Sequence, residues 1–282
     1  MGPRTVAESR SERSARRAFL IGVARAFGGA IIFSLPLLMT MEMWALSTSM
    51  SAARLSLLLV LVLPVLVGIS HFIGFEETFE IKDDLLDAFV AFGVGFVASA
   101  AVLIFFAVVG PGMSASEIIG KITLQAIPAS IGALLARSQL GGEHDDRGGR
   151  RGEGYGGELF VMAIGALFLA FNVAPTEEMV LIARMMSDWH ALLLVIVSVT
   201  IMHAFVYSVE FRGQPEIPEG STQARAFLHF TVTGYAIALA ISAYILWTFG
   251  RSDGLGFGEL VTATIVLAFP ASVGAAAARL IL

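Results

Sequence analysis

Long apolar runs alternate with short polar turns along most of the chain. A helix needs roughly 20 apolar residues to cross a hydrocarbon core of ~30 Å. Eight runs meet this requirement: residues 18–46, 55–75, 85–109, 118–135, 159–182, 191–211, 226–249 and 260–282. The pattern predicts an all-α integral membrane protein with eight transmembrane helices.

Two short motifs occur twice at nearly the same spacing. Residues 127–137 return almost intact at 269–279, so that Pro128 is matched by Pro270 at an offset of 270 − 128 = 142. Residues 40–43 resemble 176–179 at an offset of 176 − 40 = 136. We interpret these matches as the duplication of a four-span unit. Because four is an even number, both copies enter the membrane in the same direction, which predicts two parallel four-helix repeats related by a pseudo-two-fold axis along the membrane normal.

Polar segments divide the chain into an arm, a linker and the two repeats. Residues 1–17 form a basic arm with five arginines, and residues 139–157 form a linker rich in Gly, Asp and Arg. The first repeat is predicted over 18–138 and the second over 158–282. The arm, the linker and the chain end share one side of the predicted bilayer and carry most of the Lys and Arg. The positive-inside rule therefore places both termini in the cytoplasm.

The composition of the chain excludes several classes of function. Hydrophobic residues make up 56% and charged residues 15% of the 282 residues, whereas charged residues alone reach about a quarter of a soluble domain. The absence of cysteine excludes disulfides, thiolate catalysis and cysteine-ligated metals. The net charge of −5, without a basic stripe, argues against nucleic acid as a partner. No HExxH, GxSxG or Walker motif is present, so we expect neither an enzyme nor a bound cofactor; an intramembrane enzyme whose catalytic groups lack a recognisable spacing is a further alternative.

Two glutamates occupy matching positions in the predicted repeats. Glu42 and Glu178 lie near the C-terminal ends of the first and fifth spans, where an ionisable group is costly and seldom without a role. Thr40 and Thr176 lie just before them, and Glu177 is adjacent. Two-fold symmetry would bring the carboxylates together, and carboxylate and hydroxyl oxygens suit an alkali or other hard cation. We predict that these five residues recruit or select a cation; the alternative is that both glutamates simply end their helices in the outer headgroup layer.

The same two helices contain proline near the glutamates. Pro36 lies about two turns before Glu42, and Pro175 directly precedes Thr176. Proline removes a backbone hydrogen bond, so each helix is expected to be kinked or opened there. Broken helices commonly line the substrate site of transporters, although membrane helices also tolerate proline without such a role.

The repeated Pro-Ala-Ser motif places Ser130 and Ser272 near the middle of the fourth and eighth spans. With the carbonyls freed by Pro128 and Pro270, the serines would form a ring of weak oxygen ligands along a pathway. Packing is the favoured alternative, because the neighbouring glycines and alanines let backbones approach closely and a serine in such a stripe usually bonds across helices.

Further acids begin or end the predicted spans on the outer side. Glu117 and Glu259 begin the fourth and eighth spans, where a carboxylate favours the positive end of the helix dipole. Lys121 has the spacing of a local ion pair with Glu117. Together with the acids at 42, 177, 178 and 188, these carboxylates would give the outer mouth a negative field that concentrates cations.

Other ionisable residues are interpreted structurally. His203 and His229 have no counterpart in the first repeat, so a packed, hydrogen-bonded histidine is favoured over a proton relay. The acidic turn at 76–87 is expected to be a solvated cytoplasmic loop in which Asp83 or Asp84 caps the next helix.

Residues 34–38 and 41–44, followed by 120–122 and 126–133, resemble a bacterial family of integral membrane proteins with eight predicted spans and no assigned activity. The resemblance covers most of the chain after the basic arm. It implies the same architecture and a multi-pass protein of the bacterial inner membrane, but it transfers neither a substrate nor a mechanism.

The function predicted from these features is the transport of a small cation through a pathway near the pseudo-two-fold axis, by a channel or a secondary transporter. The alternative is a non-transporting scaffold or lipid-binding protein whose carboxylates are all interfacial. The expected partners are the lipid bilayer and the cation, and the glycine and alanine faces would also suit a homo-oligomer interface.

Overall fold

The computed structural model describes residues 3–73, 81–139, 154–207 and 227–281, and within those ranges all regular structure is helical. The helices are α1 (Pro3–Leu38), α2 (Met41–Ser49), α3 (Ala52–Ile73), α4 (Ile81–Phe105), α5 (Ala115–Gln139), α6 (Tyr155–Val173), α7 (Glu177–Met185), α8 (Asp188–Tyr207), a π-helical segment (Phe227–Val232), α9 (Thr233–Thr248) and α10 (Phe257–Ile281). Eight segments of these helices are long and apolar enough to cross a membrane. The prediction of an all-α membrane protein with eight spans is therefore confirmed.

Two of the predicted spans are wrong at their C-terminal ends. The helix predicted over 18–46 ends at Leu38, and the helix predicted over 159–182 ends at Val173. Each is followed by a short break and then by a separate nine-residue helix, α2 or α7. At the breaks Thr40 and Thr176 have extended backbone and form the N-caps of the short helices. Hydropathy does not reveal these breaks, because apolar residues resume within a few positions after each one.

The breaks change the position of the predicted cation-recruiting residues. Glu42 and Glu178 lie in the first turns of α2 and α7 instead of at the ends of spanning helices. Pro36 lies inside α1 shortly before that helix ends, whereas Pro175 lies between α6 and α7. The chain therefore opens close to each proline, as the sequence predicts.

The helices form two compact units, of which unit 1 comprises Met1–Met39 and Val62–Gly148. Within unit 1, α5 packs against α1 and α4, and 83% of its membrane-spanning segment is buried. Glycine permits these close contacts: a Cβ added at Gly132 would lie 2.6 Å from the carbonyl oxygen of Gly29, and one added at Gly95 would lie 2.9 Å from that of Ala126. The core of unit 1 is therefore built around α5.

Unit 2 comprises Thr40–Leu61 and Gly149–Leu282, and its helix α10 packs against α6, α7, α8 and α9. A Cβ added at either Gly165 or Gly274 would overlap the carbonyl oxygen of the other glycine, so α6 and α10 meet backbone to backbone there. Because Thr40–Leu61 belongs to unit 2, the unit boundaries differ from the repeats predicted over 18–138 and 158–282. The limits of those repeats stay a prediction of the sequence.

The structure describes only part of the predicted cytoplasmic segments. The basic arm predicted over 1–17 is part of α1 from Pro3 onward, and Arg16 and Arg17 are exposed. Most of the linker predicted over 139–157 lies outside the described residues, and so does the part of the acidic turn at 76–80.

Candidate functional site

An open cleft in unit 2 brings together charged side chains from distant parts of the chain. Its volume is about 400 Å³, and it lies among α2, the start of α3, the start of α7 and the turn after α9. It is lined by Met41, Glu42, Ala45, Leu46, Ser49, Met50, Arg54, Glu177, Phe249, Gly250, Arg251 and Asp253. Three carboxylates and two guanidinium groups give this lining a formal charge of −1.

One pair of charges in the cleft is closely matched. Arg54 donates hydrogen bonds from both terminal nitrogens to Asp253, each with an N–O distance of 2.7 Å. The same guanidinium lies 5.1 Å from the ring centre of Trp247, in cation–π geometry. The hydrogen bonds from Arg54 hold the pKa of Asp253 below its usual value of 3.8. Asp253 is therefore ionised at neutral pH, and its contribution to stability is lost only as the pH falls through the lowered pKa.

The second guanidinium group of the cleft is only partly matched. One terminal nitrogen of Arg251 donates to the carbonyl oxygen of Pro175, in the break between α6 and α7. The other terminal nitrogen lies 3.9 Å from Oε1 of Glu177, whose side chain is 82% exposed. Nε of Arg251 is buried and has no hydrogen-bond partner among the residues that the structure describes. An exposed ion pair at this distance contributes little, so the contact with Glu177 is weak.

Glu42 is the third carboxylate of the cleft. It is half-buried in the first turn of α2, and within the described ranges no side chain forms an ion pair or hydrogen bond with its carboxylate. Asp253 and Glu177 each have an arginine nearby. The excess negative charge of the cleft therefore lies at Glu42.

The cleft contains two of the five residues predicted to recruit a cation, Glu42 and Glu177. Glu178, the repeat counterpart of Glu42, is exposed and does not line the cleft. Neither predicted threonine lines it, and the hydroxyl of Thr176 donates to the carbonyl oxygen of Val173 at 2.9 Å. Glu42 therefore shares the cleft with Glu177, which directly precedes the expected partner Glu178 in the sequence.

The serines of the repeated motif are buried inside the units. Ser130 donates to the carbonyl oxygen of Ile127 at 2.7 Å, and Ser272 donates to that of Phe269 at 2.8 Å. The expectation that these serines bond across helices is wrong, because a carbonyl one turn earlier in the same helix is the nearer acceptor. The prolines of the motif lie inside α5 and α10, which continue past them.

The two acids predicted to begin spans do so. Glu117 lies in the first turn of α5 and accepts a hydrogen bond from Lys121 at 2.8 Å, as their spacing predicts. Glu259 lies in the first turn of α10, accepts a hydrogen bond from the backbone N–H of Gly256 at 3.1 Å, and lies 3.9 Å from Arg184. Both carboxylates stand at the helix ends that the dipole favours, and neither lines the cleft.

Two histidines form polar contacts between helices. Nδ1 of His203 lies 3.1 Å from the hydroxyl of Thr231, and its ring packs edge-on against Phe227, so the prediction of a packed histidine is confirmed for His203, whereas His229 is exposed. Nδ1 of His71 lies 3.0 Å from Oδ2 of Asp84, which is buried. The expectation that Asp84 belongs to a solvated loop is therefore wrong: its carboxylate joins α4 to α3.

These features define an all-helical integral membrane protein with a charged cleft. Residues 22–282 match the model of the family DUF2391, described as "Putative integral membrane protein". The chain belongs to this family, which confirms the resemblance seen in its sequence. No curated protein and no solved structure matches the chain.

Proposed function

We propose that the protein transports a small monovalent cation across the bilayer, as a channel or a secondary transporter, and that the cleft recruits or selects this ion. The observation that carries the proposal is the charge of the cleft, in which two carboxylates form ion pairs with arginines and Glu42 forms none with the residues that the structure describes. A negative charge in a partly enclosed cleft concentrates cations. A single unmatched carboxylate suits a monovalent ion, since divalent ions are usually held by several carboxylate or carbonyl oxygens.

The broken helices support this proposal. The first turns of α2 and α7, which begin at the two breaks, both contribute to the cleft. In transporters, helix breaks of this kind expose backbone carbonyls and helix ends to the substrate. Within the proposal, Pro36 and Pro175 open the helices, and Glu117 and Glu259 keep the role that the sequence predicts for them, a negative field at the outer mouth. The route beyond the cleft, past Ser130 and Ser272 and near the pseudo-two-fold axis, stays a prediction.

We also propose that the chain consists of two parallel four-helix repeats. The short helices α2 and α7 have the same length, and their caps recur at the offset of the sequence motif. Thr40 and Thr176 are the N-caps, and Met50 and Met186, with 186 − 50 = 136, are the C-caps. The two short helices therefore begin and end at corresponding residues of the two copies. This agreement in helix boundaries supports duplication in addition to the similarity of the side chains.

The glycine contacts support the same duplication. Gly29 meets Gly132 in unit 1, and Gly165 meets Gly274 in unit 2. The offsets are 165 − 29 = 136 and 274 − 132 = 142, which are the two offsets of the repeated motifs. Each copy thus uses the corresponding pair of glycines to pack its first helix against its last helix.

The proposed orientation, in a bacterial inner membrane with both termini cytoplasmic, follows from the distribution of Lys and Arg. It can be tested because the chain has no cysteine. A membrane-impermeant maleimide should label Thr48→Cys in intact cells, but Gly156→Cys only after permeabilisation. Both residues are exposed and helical, so they serve as matched sites. The reverse labelling pattern would contradict the orientation.

Rubidium uptake tests whether the protein transports a cation. We expect liposomes that contain the purified protein to accumulate radioactive rubidium faster than empty liposomes, and to accumulate radioactive chloride no faster than empty liposomes. Sodium, potassium and caesium, added in turn as competitors, would rank the preferred ions. Absence of cation uptake under every gradient would reject transport and favour a scaffold or lipid-binding protein.

A further inference from the structure

The guanidinium of Arg251 contacts oxygen atoms of a kind that also binds alkali cations. It donates to the carbonyl oxygen of Pro175 and faces the carboxylate of Glu177. Carbonyl oxygens at helix breaks and carboxylate oxygens are the groups with which membrane proteins hold alkali cations. Glu42 lines the same cleft and adds a further carboxylate. The guanidinium therefore stands where a free cation would find its ligands.

The attachment of Arg251 is incomplete in two respects. The contact with Glu177 spans 3.9 Å and involves a largely exposed carboxylate. Nε is buried without a partner in the described part of the chain, and an unmatched buried donor makes the docked arginine less stable. Arg54, by contrast, places both terminal nitrogens on Asp253 at 2.7 Å. Of the two arginines in the cleft, Arg251 is thus the one that can be displaced at low cost.

We propose that Pro175 and Glu177, with Glu42, form a monovalent-cation site at the break between α6 and α7, and that the guanidinium of Arg251 is a tethered cation that competes for it. This inference rests on the proposed function of the cleft. Entry of a free cation displaces the guanidinium from these oxygens, so one positive charge replaces another. Arg251 then determines affinity: it keeps weakly bound cations out and shortens the stay of those that enter.

The dependence of rubidium uptake on rubidium concentration tests this competition. In Arg251→Gln, removal of the competing charge should lower the half-saturating concentration about fivefold, the effect of one unit charge at about 4 Å in a solvated site. Arg251→Lys retains a tethered cation and should stay closer to the wild type. Arg184→Gln removes a positive charge from α7 outside the cleft, and it should change the half-saturating concentration far less than Arg251→Gln does.

Free guanidinium ion provides a second readout. In Arg251→Ala, the vacated oxygens should accept guanidinium from solution, so this ion should inhibit rubidium uptake at a lower concentration than in the wild type. Two results together would overturn the competition while cation transport stands. The half-saturating concentration would be unchanged or raised in Arg251→Gln, and guanidinium would inhibit Arg251→Ala no more strongly than the wild type. Absence of uptake in the wild type and in every variant would instead reject the proposed function itself.

Discussion

Gly165→Ala and Gly274→Ala should each lower the thermal unfolding temperature of the purified protein strongly. The added Cβ would overlap a backbone carbonyl of the facing helix, and a backbone carbonyl cannot rotate away as a side chain can. Forcing additional atoms into a packed contact costs about 1–3 kcal/mol and occasionally more. We therefore expect at least this loss in the free energy of unfolding for each substitution.

Two other glycines of the same helices provide matched controls. Gly156 in α6 and Gly258 in α10 have no atom within 4 Å of an added Cβ. Because alanine is the better helix former by about 0.5–1 kcal/mol, Gly156→Ala and Gly258→Ala should leave the unfolding temperature unchanged or raise it. Thermal unfolding in detergent, followed by circular dichroism, compares the four variants. Equal unfolding temperatures in all four would show that α6 and α10 do not meet at Gly165 and Gly274.

The membrane-spanning helices could be predicted from sequence because a span leaves a signal that is long and local. A run of roughly 20 apolar residues is rare outside membrane spans, and all eight runs are found as helices. The breaks before α2 and α7 leave no such signal, since each is only a few residues long and apolar residues such as Met41 and Met179 follow it. The prolines at 36 and 175, together with the threonines at 40 and 176 that are placed to cap a helix, are the signals that point to them.

The arrangement of the cleft could be predicted only in part. Repeat matching aligns Glu42 with Glu178, yet Glu177 is the residue that lines the cleft. Neighbouring residues of a helix point about 100° apart, so the exact start of α7 decides which glutamate faces inward. Sequence similarity does not define that start to one residue.

The arginines of the cleft leave a still weaker signal. Arg54 and Asp253 are 199 residues apart, and each stands in or beside a polar turn where charges are common. Arg251 belongs to a turn in which Gly250 has a φ of +72°, a conformation that allows the chain to reverse directly after α9. The sequence shows that these charges lie near span ends, but the partner of each follows only from tertiary packing.

Replacing Glu42 and Glu177 together should have the largest effect on transport. These are the two carboxylates of the cleft that have no close ion pair. Glu42→Gln with Glu177→Gln keeps the size and hydrogen-bonding capacity of the side chains, but it changes the formal charge of the cleft from −1 to +1. Electrostatic concentration of an ion changes its rate of arrival by about tenfold or more, so we expect uptake at low rubidium concentration to fall by at least that factor. The single substitution Glu42→Gln should produce an intermediate loss.

Rubidium uptake by this double variant, at low external rubidium and equal protein content per liposome, tests most directly whether the cleft recruits the transported cation. The control is Glu42→Gln combined with Glu178→Gln, which removes the same formal charge but leaves Glu177 in the cleft. We predict that uptake falls about tenfold or more with Glu42→Gln and Glu177→Gln, and that the control retains the intermediate rate of Glu42→Gln alone. Uptake at the wild-type rate in both double variants would contradict a role of the cleft in cation transport.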